Sequence, residues 1–236
     1  MTTIVHYLPI ITTLLAIWFG IEILNRYRDR RTGPHLLWWG AGVLIYGIGT
    51  LTEAITTLFG WQEPIFRAWY ISGALLGGAP LAQGTVYLLM SRRVANRLTV
   101  VLVTVVAVAS VFVLSTPIDT ALVETYRLSG RVMEWTWVRA FSPFINLYAV
   151  IFLVGGAAYS AFKFRQIDGL GHRATGNALI ALGAVLPGIG GSFTRFGHVE
   201  VLYVTELIGL LFIWAGYRVA SRPAKGLSPV AVASAS

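Results

Sequence analysis

The sequence contains no cysteine and few charged residues. The missing cysteine excludes disulfides, thiolate metal sites and cysteine nucleophiles. Asp, Glu, Lys and Arg make up 12% of the 236 residues, about half the share expected of a soluble domain. Hydrophobic residues reach 56%, and they recur in segments so regular that no stretch remains for a water-soluble domain. The composition therefore indicates a single domain in a lipid bilayer.

Seven apolar stretches are long enough to cross a membrane, which takes about 20 residues for a hydrocarbon core of roughly 30 Å. Strands of a β-barrel would alternate every second residue, and these stretches do not. No Lys or Arg precedes the first stretch, so it is retained as a helix rather than removed as a signal peptide. We predict helices over residues 5–25, 35–59, 65–90, 97–116, 138–164, 173–195 and 198–218.

The net charge of +8 comes from short basic clusters between the apolar stretches. Thirteen of the 18 Lys and Arg residues follow predicted helices one, three, five and seven, and five lie on the opposite side. The positive-inside rule places the larger set in the cytoplasm. We therefore predict a multi-pass protein of the cell (inner) membrane with its N-terminus outside, its C-terminus inside and no nucleic-acid partner. Residues 1–218 form the membrane domain, and residues 219–236 a disordered cytoplasmic tail.

The longest connection joins predicted helices four and five, from about Pro117 to Trp137. Two β-prone runs flank Ser129-Gly130, which predicts an extracellular β-hairpin. The alternative is an amphipathic helix lying at the membrane surface, with Trp135 and Trp137 as interfacial anchors.

Three ionisable residues fall inside or at the end of predicted helices. Glu206 lies about 12 Å below the outer end of helix seven, Glu53 lies in the outer part of helix two, and Arg195 ends helix six. A carboxylate at that depth must face protein or water. The three residues form either a polar pocket or ion-coupled site, or a structural ion pair that holds the helices together.

Further pocket candidates lie in helices three, five and six. Trp69 and Tyr70 either line an aromatic cleft under the loop or belong to the interfacial belt. Asn146 either contacts a ligand or makes an interhelical hydrogen bond. Pro187, within the glycine-rich string LPGIGGSF, predicts a break in helix six. Such a break either exposes backbone groups to a ligand or allows close helix packing.

Histidines give little support for a metal or other cofactor. His6 and His198 lie at the predicted outer face, and Glu200 is close to His198. These three residues are weak candidates for a metal site because nothing has metal-ligand spacing. We expect no cofactor.

Seven helices with an outside N-terminus resemble the topology of microbial rhodopsins, but residues 198–218 contain no lysine for a retinal Schiff base. The strings WWGAGVLIYGIGTLTEA and RAWYISGALLGGAP resemble the seven-helix membrane sensor region of bacterial histidine kinases. That resemblance implies a bacterial sensor fold. Because only a short tail follows the last helix, we expect such a sensor to act through a partner protein.

The leading hypothesis is a sensor-like or ligand-binding membrane protein that acts through a protein partner or as a homo-oligomer. A small ion-coupled transporter or channel component that uses Glu53 and Glu206 is the alternative, and an accessory subunit of a larger membrane complex is the third. No constellation of His, Asp and Ser resembles a catalytic set, so we do not expect an enzyme.

Overall fold

The computed structural model describes residues 4–30, 33–194 and 196–223, and its regular structure is helical. Six helical stretches in this part of the chain are long and apolar enough to cross a membrane, so the chain is a multi-pass, all-α membrane protein. In chain order the helices are α1 (Leu8–Arg30), α2 (Pro34–Phe59), α3 (Glu63–Trp69), α4 (Ala79–Leu89), α5 (Arg92–Ser115), α6 (Phe141–Ala149), α7 (Gly156–Arg165), α8 (Gly171–Thr194) and α9 (Val199–Ala220).

The boundaries of α2 follow from its flanking residues. Pro34 opens the helix, where its missing N–H has no partner to lose. Gly33 before it and Gly60 after it have φ angles of 81° and 80°, a left-handed backbone that favours glycine. The prediction of a helix over 35–59 is confirmed almost to the residue.

The third predicted helix, over 65–90, is interrupted. After α3 the chain passes through a π-helical turn at Tyr70–Leu75 and a bend before α4 begins. The bend holds Gly77 and Gly78, and Pro80 follows as an early residue of α4. This segment still lies along α2, with which α3, the π-helical turn and α4 all make contact. It contains no single helix long enough to count among the six.

Helix α8 has no break at Pro187, so that prediction is wrong. The helix runs from Gly171 to Thr194 with the proline inside it. Tight packing against α9 explains three of its glycines, Gly176, Gly183 and Gly190. A Cβ atom on Gly183 would lie 2.5 Å from the carbonyl oxygen of Gly209, and one on Gly216 would lie 2.5 Å from that of Gly176. The small residues allow close helix contact.

The loop between α5 and α6 contains no strand, and the predicted hairpin is not confirmed. Ser129 caps a short 3-10 helix at Gly130–Val132, at the point where the hairpin turn was expected. Antiparallel pairing is limited to isolated bridges, one of which joins Ile118 to Met133. The loop instead consists of 3-10 turns, and the bridge between Ile118 and Met133 closes it near its base.

Two buried clusters lie at the two ends of the bundle. We call the end that carries loop 116–140 the loop end; its core includes Phe66, Tyr70 and Met133. The opposite end, where α1 ends and α2 begins, is the basic end, and the core that leads to it includes Phe19 and Tyr217. The predicted tail beyond residue 223, like Arg195, lies outside the described residues.

Candidate functional site

One face of α2 carries the polar side chains of the candidate site. Tyr46, Thr50, Glu53 and Thr57 are spaced by four, three and four residues, which places them on the same side of a helix. The face points into the bundle, since Thr50, Glu53 and Thr57 are all buried, and Glu53 is only 3% exposed. An acidic residue at such a position needs partners for its oxygens.

Glu53 finds its partners on two other segments. Its Oε1 accepts a hydrogen bond of 3.0 Å from the indole Nε1 of Trp69, at the end of α3. Its carboxyl group also lies beside the carboxyl group of Glu206 on α9. Glu53 therefore connects α2, the interrupted third segment and α9.

Glu206 lies in a polar surrounding built by aromatic hydroxyl groups. The hydroxyl of Tyr46 donates to the backbone carbonyl of Glu206 at 3.2 Å. Tyr203, one helical turn before Glu206 and 3% exposed, lies near Thr57 across the interface between α9 and α2, although the buried hydroxyl of Thr57 has no hydrogen-bond partner among the described residues. The Glu53–Glu206 contact is thus flanked by two tyrosines.

A contact between two carboxyl groups requires a proton. The Oε2 atoms of Glu53 and Glu206 are both buried, and no donor from the described residues reaches either atom. Ionised carboxyl groups only accept hydrogen bonds, and two such charges repel each other in a poorly hydrated site. The arrangement therefore fits a carboxyl pair that holds one shared proton.

Glycines place Trp69 beside this pair. A Cβ atom on Gly49 would lie 3.2 Å from the Cα of Gly73, so α2 and the π-helical turn approach at backbone distance. The indole of Trp69 covers the open side of Gly73, with Nε1 3.6 Å from a Cβ position there. Larger residues at Gly49 or Gly73 would separate the segments that bring Trp69 to Glu53.

Tyr70 lies in the core of the loop end rather than at the carboxyl pair. It is 4% exposed and packs with Phe66 and Met133. Gly130 of the loop sits directly on its ring, because a Cβ atom there would lie 2.9 Å from a ring carbon. The loop therefore covers this aromatic cluster.

Asn146 and Pro187 have structural contacts. The amide of Asn146 donates to the carbonyl of Ala74 at 3.1 Å, and the hydroxyl of Ser142 donates to the same carbonyl at 2.9 Å. That carbonyl lies in the π-helical turn, where the regular hydrogen-bond pattern is interrupted. Pro187 contacts the position of Gly209 on α9.

The remaining sequence candidates lie apart from the carboxyl pair. His6 pairs with Glu200 at 3.6 Å between Nε2 and Oε1, whereas His198 immediately precedes α9. Within residues 4–30, 33–194 and 196–223, no group of three or more His, Cys, Asp or Glu could hold a metal ion. None of the ion pairs in this part of the chain includes Glu53 or Glu206.

Sequence reasoning missed the contributions of Tyr203 and Thr57. A usable signal exists for both, because Tyr203 lies three residues before Glu206 and Thr57 four residues after Glu53. These spacings place each residue on the same helix face as the acid.

The structure contains a buried carboxyl pair. A comparison of the chain with protein-family models and with curated proteins found no match.

Proposed function

We propose that this chain is a sensor-like membrane protein that acts through a partner, and that the Glu53–Glu206 pair is its responsive element. The observation that carries the proposal is the contact between two buried carboxyl groups at the interface of α2 and α9. Loss of the shared proton adds one negative charge at the point where three segments meet.

The size of that change supports a switch. Two unit charges 4 Å apart repel by about 4 kcal/mol at an effective dielectric constant of about 20. Moving a two-state equilibrium from 1:99 to 99:1 takes about 5.5 kcal/mol. Deprotonation of the pair thus supplies a free energy comparable to that of a full two-state shift, applied where α2, α9 and Trp69 meet.

The proposal includes seven crossings with the N-terminus outside. Support for the seventh crossing comes from the segment formed by α3, the π-helical turn and α4, which contacts α2 near both ends of α2. Trp69 donates to Glu53 near one end, and the indole of Trp39 donates to the carbonyl of Leu81 at 3.1 Å near the other. Support for the orientation comes from the distribution of Lys and Arg. In this orientation the carboxyl pair lies in the outer half of the membrane.

Reporter fusions test this topology. We expect cytoplasmic reporters to be active when fused after Arg31 and Ala224, and periplasmic reporters to be active after Gly130. Activity of the periplasmic reporter at Arg31 or Ala224 would contradict the orientation. Fusions after Arg31 and Gly130 that report the same side of the membrane would contradict the number of crossings.

Infrared spectroscopy tests the shared proton directly. A protonated carboxyl group has a carbonyl stretch that a carboxylate lacks. We expect this band in the wild-type protein at neutral pH and its loss in both Glu53→Gln and Glu206→Gln. The matched control is Glu124→Gln, since Glu124 is exposed and paired with Arg127. A spectrum that is identical in all four proteins would refute the carboxyl pair as the responsive element.

The same pair favours one second candidate, a small ion-coupled transporter. Buried carboxyl groups beside an interrupted membrane segment are a common arrangement at ion-coupling sites. Proteoliposomes separate the two functions. Proton or Na⁺ flux that is abolished by Glu206→Gln would establish transport, whereas a sensor would show the infrared response without flux.

A further inference from the structure

A cavity with two connected chambers lies toward the basic end, away from the carboxyl pair. The inner chamber has a volume of about 60 Å³ and the outer one about 340 Å³. Neither Glu53 nor Glu206 lines them. Both chambers are lined by the same six residues from five segments: Trp39, Leu88, Ser160, Asn177, Ile180 and Tyr217.

The inner chamber is apolar. Phe19, Val43 and Leu153, from three different helices, form its walls, and Ile213 lines it from α9. A pocket with such walls favours a hydrocarbon group over water.

The outer chamber is basic. Arg26 on α1, His35 on α2 and Arg173 on α8 line it. None of the residues that line either chamber, all within the described ranges, is acidic. The two guanidinium groups, of Arg26 and Arg173, therefore have no carboxylate partner within the cavity.

Arg173 is the more informative of the two arginines. Its Nε is buried and has no hydrogen-bond partner among the described residues, and its guanidinium carbon lies 5.7 Å from the centre of the Phe164 ring. Arg26 donates to the hydroxyl of Tyr217 at 3.3 Å and to that of Ser221. Because a buried donor without a partner is costly, Arg173 points to a missing anionic group.

We propose that this cavity binds a single-chain amphiphilic anion, with its carboxylate or phosphate head between Arg26 and Arg173 and its alkyl tail in the inner chamber. Guanidinium groups bind both kinds of head group well. At about 10 to 15 Å³ for each water-sized group, the chambers hold roughly four to six and roughly 23 to 34 such groups. The inner chamber therefore takes only the last roughly four to six methylene groups of one acyl chain, and the outer chamber holds the rest of that chain and its head group, which leaves no room for a second chain.

The site is independent of the carboxyl pair. It shares no residue with Glu53, Glu206 or Trp69, so the amphiphile site stands or fails on its own evidence. In the proposed orientation its mouth faces the cytoplasm, which makes a fatty acid or a single-chain phosphate ester from that side the expected source.

Fluorescence quenching tests the proposal in the full chain reconstituted in uncharged lipid. The probe is a fatty acid brominated on its chain, because bromine quenches nearby tryptophan and Trp39 lines both chambers. We expect saturable quenching that is lost in Trp39→Phe. The matched probes are a brominated alkyl trimethylammonium ion, with the opposite charge, and a brominated two-chain phosphatidylglycerol, and we expect neither to quench Trp39.

Variants of the basic residues provide the second arm. We expect Arg173→Gln and Arg26→Gln each to weaken binding at least tenfold, while Arg165→Gln, an exposed residue at the end of α7 that does not line the cavity, leaves it unchanged. Because the chain has no cysteine, Ser160→Cys supplies a unique thiol in both chambers, and the fatty acid should protect it from maleimide.

Four results would overturn the proposal. Equal quenching by the cationic probe would mean simple partition into lipid. Equal loss of binding in Arg165→Gln would mean a general charge effect. Stronger quenching by the two-chain lipid, or a thiol that the fatty acid does not protect, would reject a single-chain ligand in these chambers.

Discussion

Replacing Glu53 by leucine or by glutamine separates the contribution of its hydrogen bonds from that of its volume. Leucine fills similar space but leaves the indole N–H of Trp69 and one carboxyl oxygen of Glu206 without a partner. A buried polar group left unsatisfied costs about 1–3 kcal/mol. We therefore expect Glu53→Leu to lower the free energy of unfolding by about 2–6 kcal/mol.

Glutamine at the same position keeps both contacts. Its carbonyl oxygen accepts from Trp69, and its amide donates to the Glu206 carboxylate, so no shared proton is needed. We expect Glu53→Gln to change the free energy of unfolding by no more than about 1 kcal/mol. The matched control is Glu124→Leu, which removes an exposed ion pair with Arg127 and is expected to cost at most about 1 kcal/mol.

Unfolding in mixed micelles with increasing denaturing detergent measures these differences. Intrinsic tryptophan fluorescence and circular dichroism report the same transition if unfolding is two-state. Equal stability of Glu53→Leu and Glu53→Gln would refute the reasoning, because it would mean that neither Trp69 nor Glu206 depends on the carboxyl group.

Three further sets of substitutions test packing and the interrupted segment by the same unfolding measurement. Gly183→Ala should destabilise the protein by about 1–3 kcal/mol because its Cβ meets a backbone carbonyl. The control is Gly188→Ala, whose Cβ meets no atom within 4 Å and which should be neutral or stabilise by up to about 1 kcal/mol. Equal effects of the two changes would contradict the tight contact at Gly183. Changing Asn146 and Ser142 together to alanine should lower the free energy of unfolding by about 1–3 kcal/mol, more than either change alone, because only then does the carbonyl in the π-helical turn lose both donors. If the two single changes add up exactly to the double change, the two side chains do not substitute for each other at this carbonyl. Gln83→Leu should lower the free energy of unfolding by about 2–4 kcal/mol, because the fully buried amide of Gln83 makes hydrogen bonds to two other helices. Wild-type stability in this variant would show that those groups find other partners.

Hydropathy located the helices well because membrane helices satisfy their backbone internally and need only a long apolar segment. The predictions failed in two places where the sequence combines glycine with proline: the third segment is interrupted, and α8 lacks the break expected at Pro187. Pro187 is held in a regular helix by the close contact with Gly209, whereas the run Gly77-Gly78 before Pro80 interrupts the third segment. Whether glycine and proline interrupt a helix therefore depends on the helix that packs against it, and the sequence of the segment itself carries no information about that partner.

The candidate site was predictable in part. Glu53 and Glu206 are conspicuous because acids in apolar helices must be compensated, and the structure brings them into contact. Their direct pairing was not predicted, since a pair of like residues suggests repulsion until a proton is considered. Trp69 reaches Glu53 only because Gly49 and Gly73 meet across two segments, a contact that sequence spacing does not reveal.

The glycine contacts divide the bundle into two units. Gly176, Gly183 and Gly216 bring α8 and α9 to backbone contact, and Gly20 and Gly40 seat the side chains of Leu44 and Leu24 between α1 and α2. Where α9 meets α2, the contacts identified, such as Glu53 with Glu206, instead involve side chains. Each pair is therefore expected to move as a rigid body, with sliding at the surface where α9 meets α1 and α2. Spin labels on α2 and α8 should then change distance on deprotonation, while labels within either pair keep theirs.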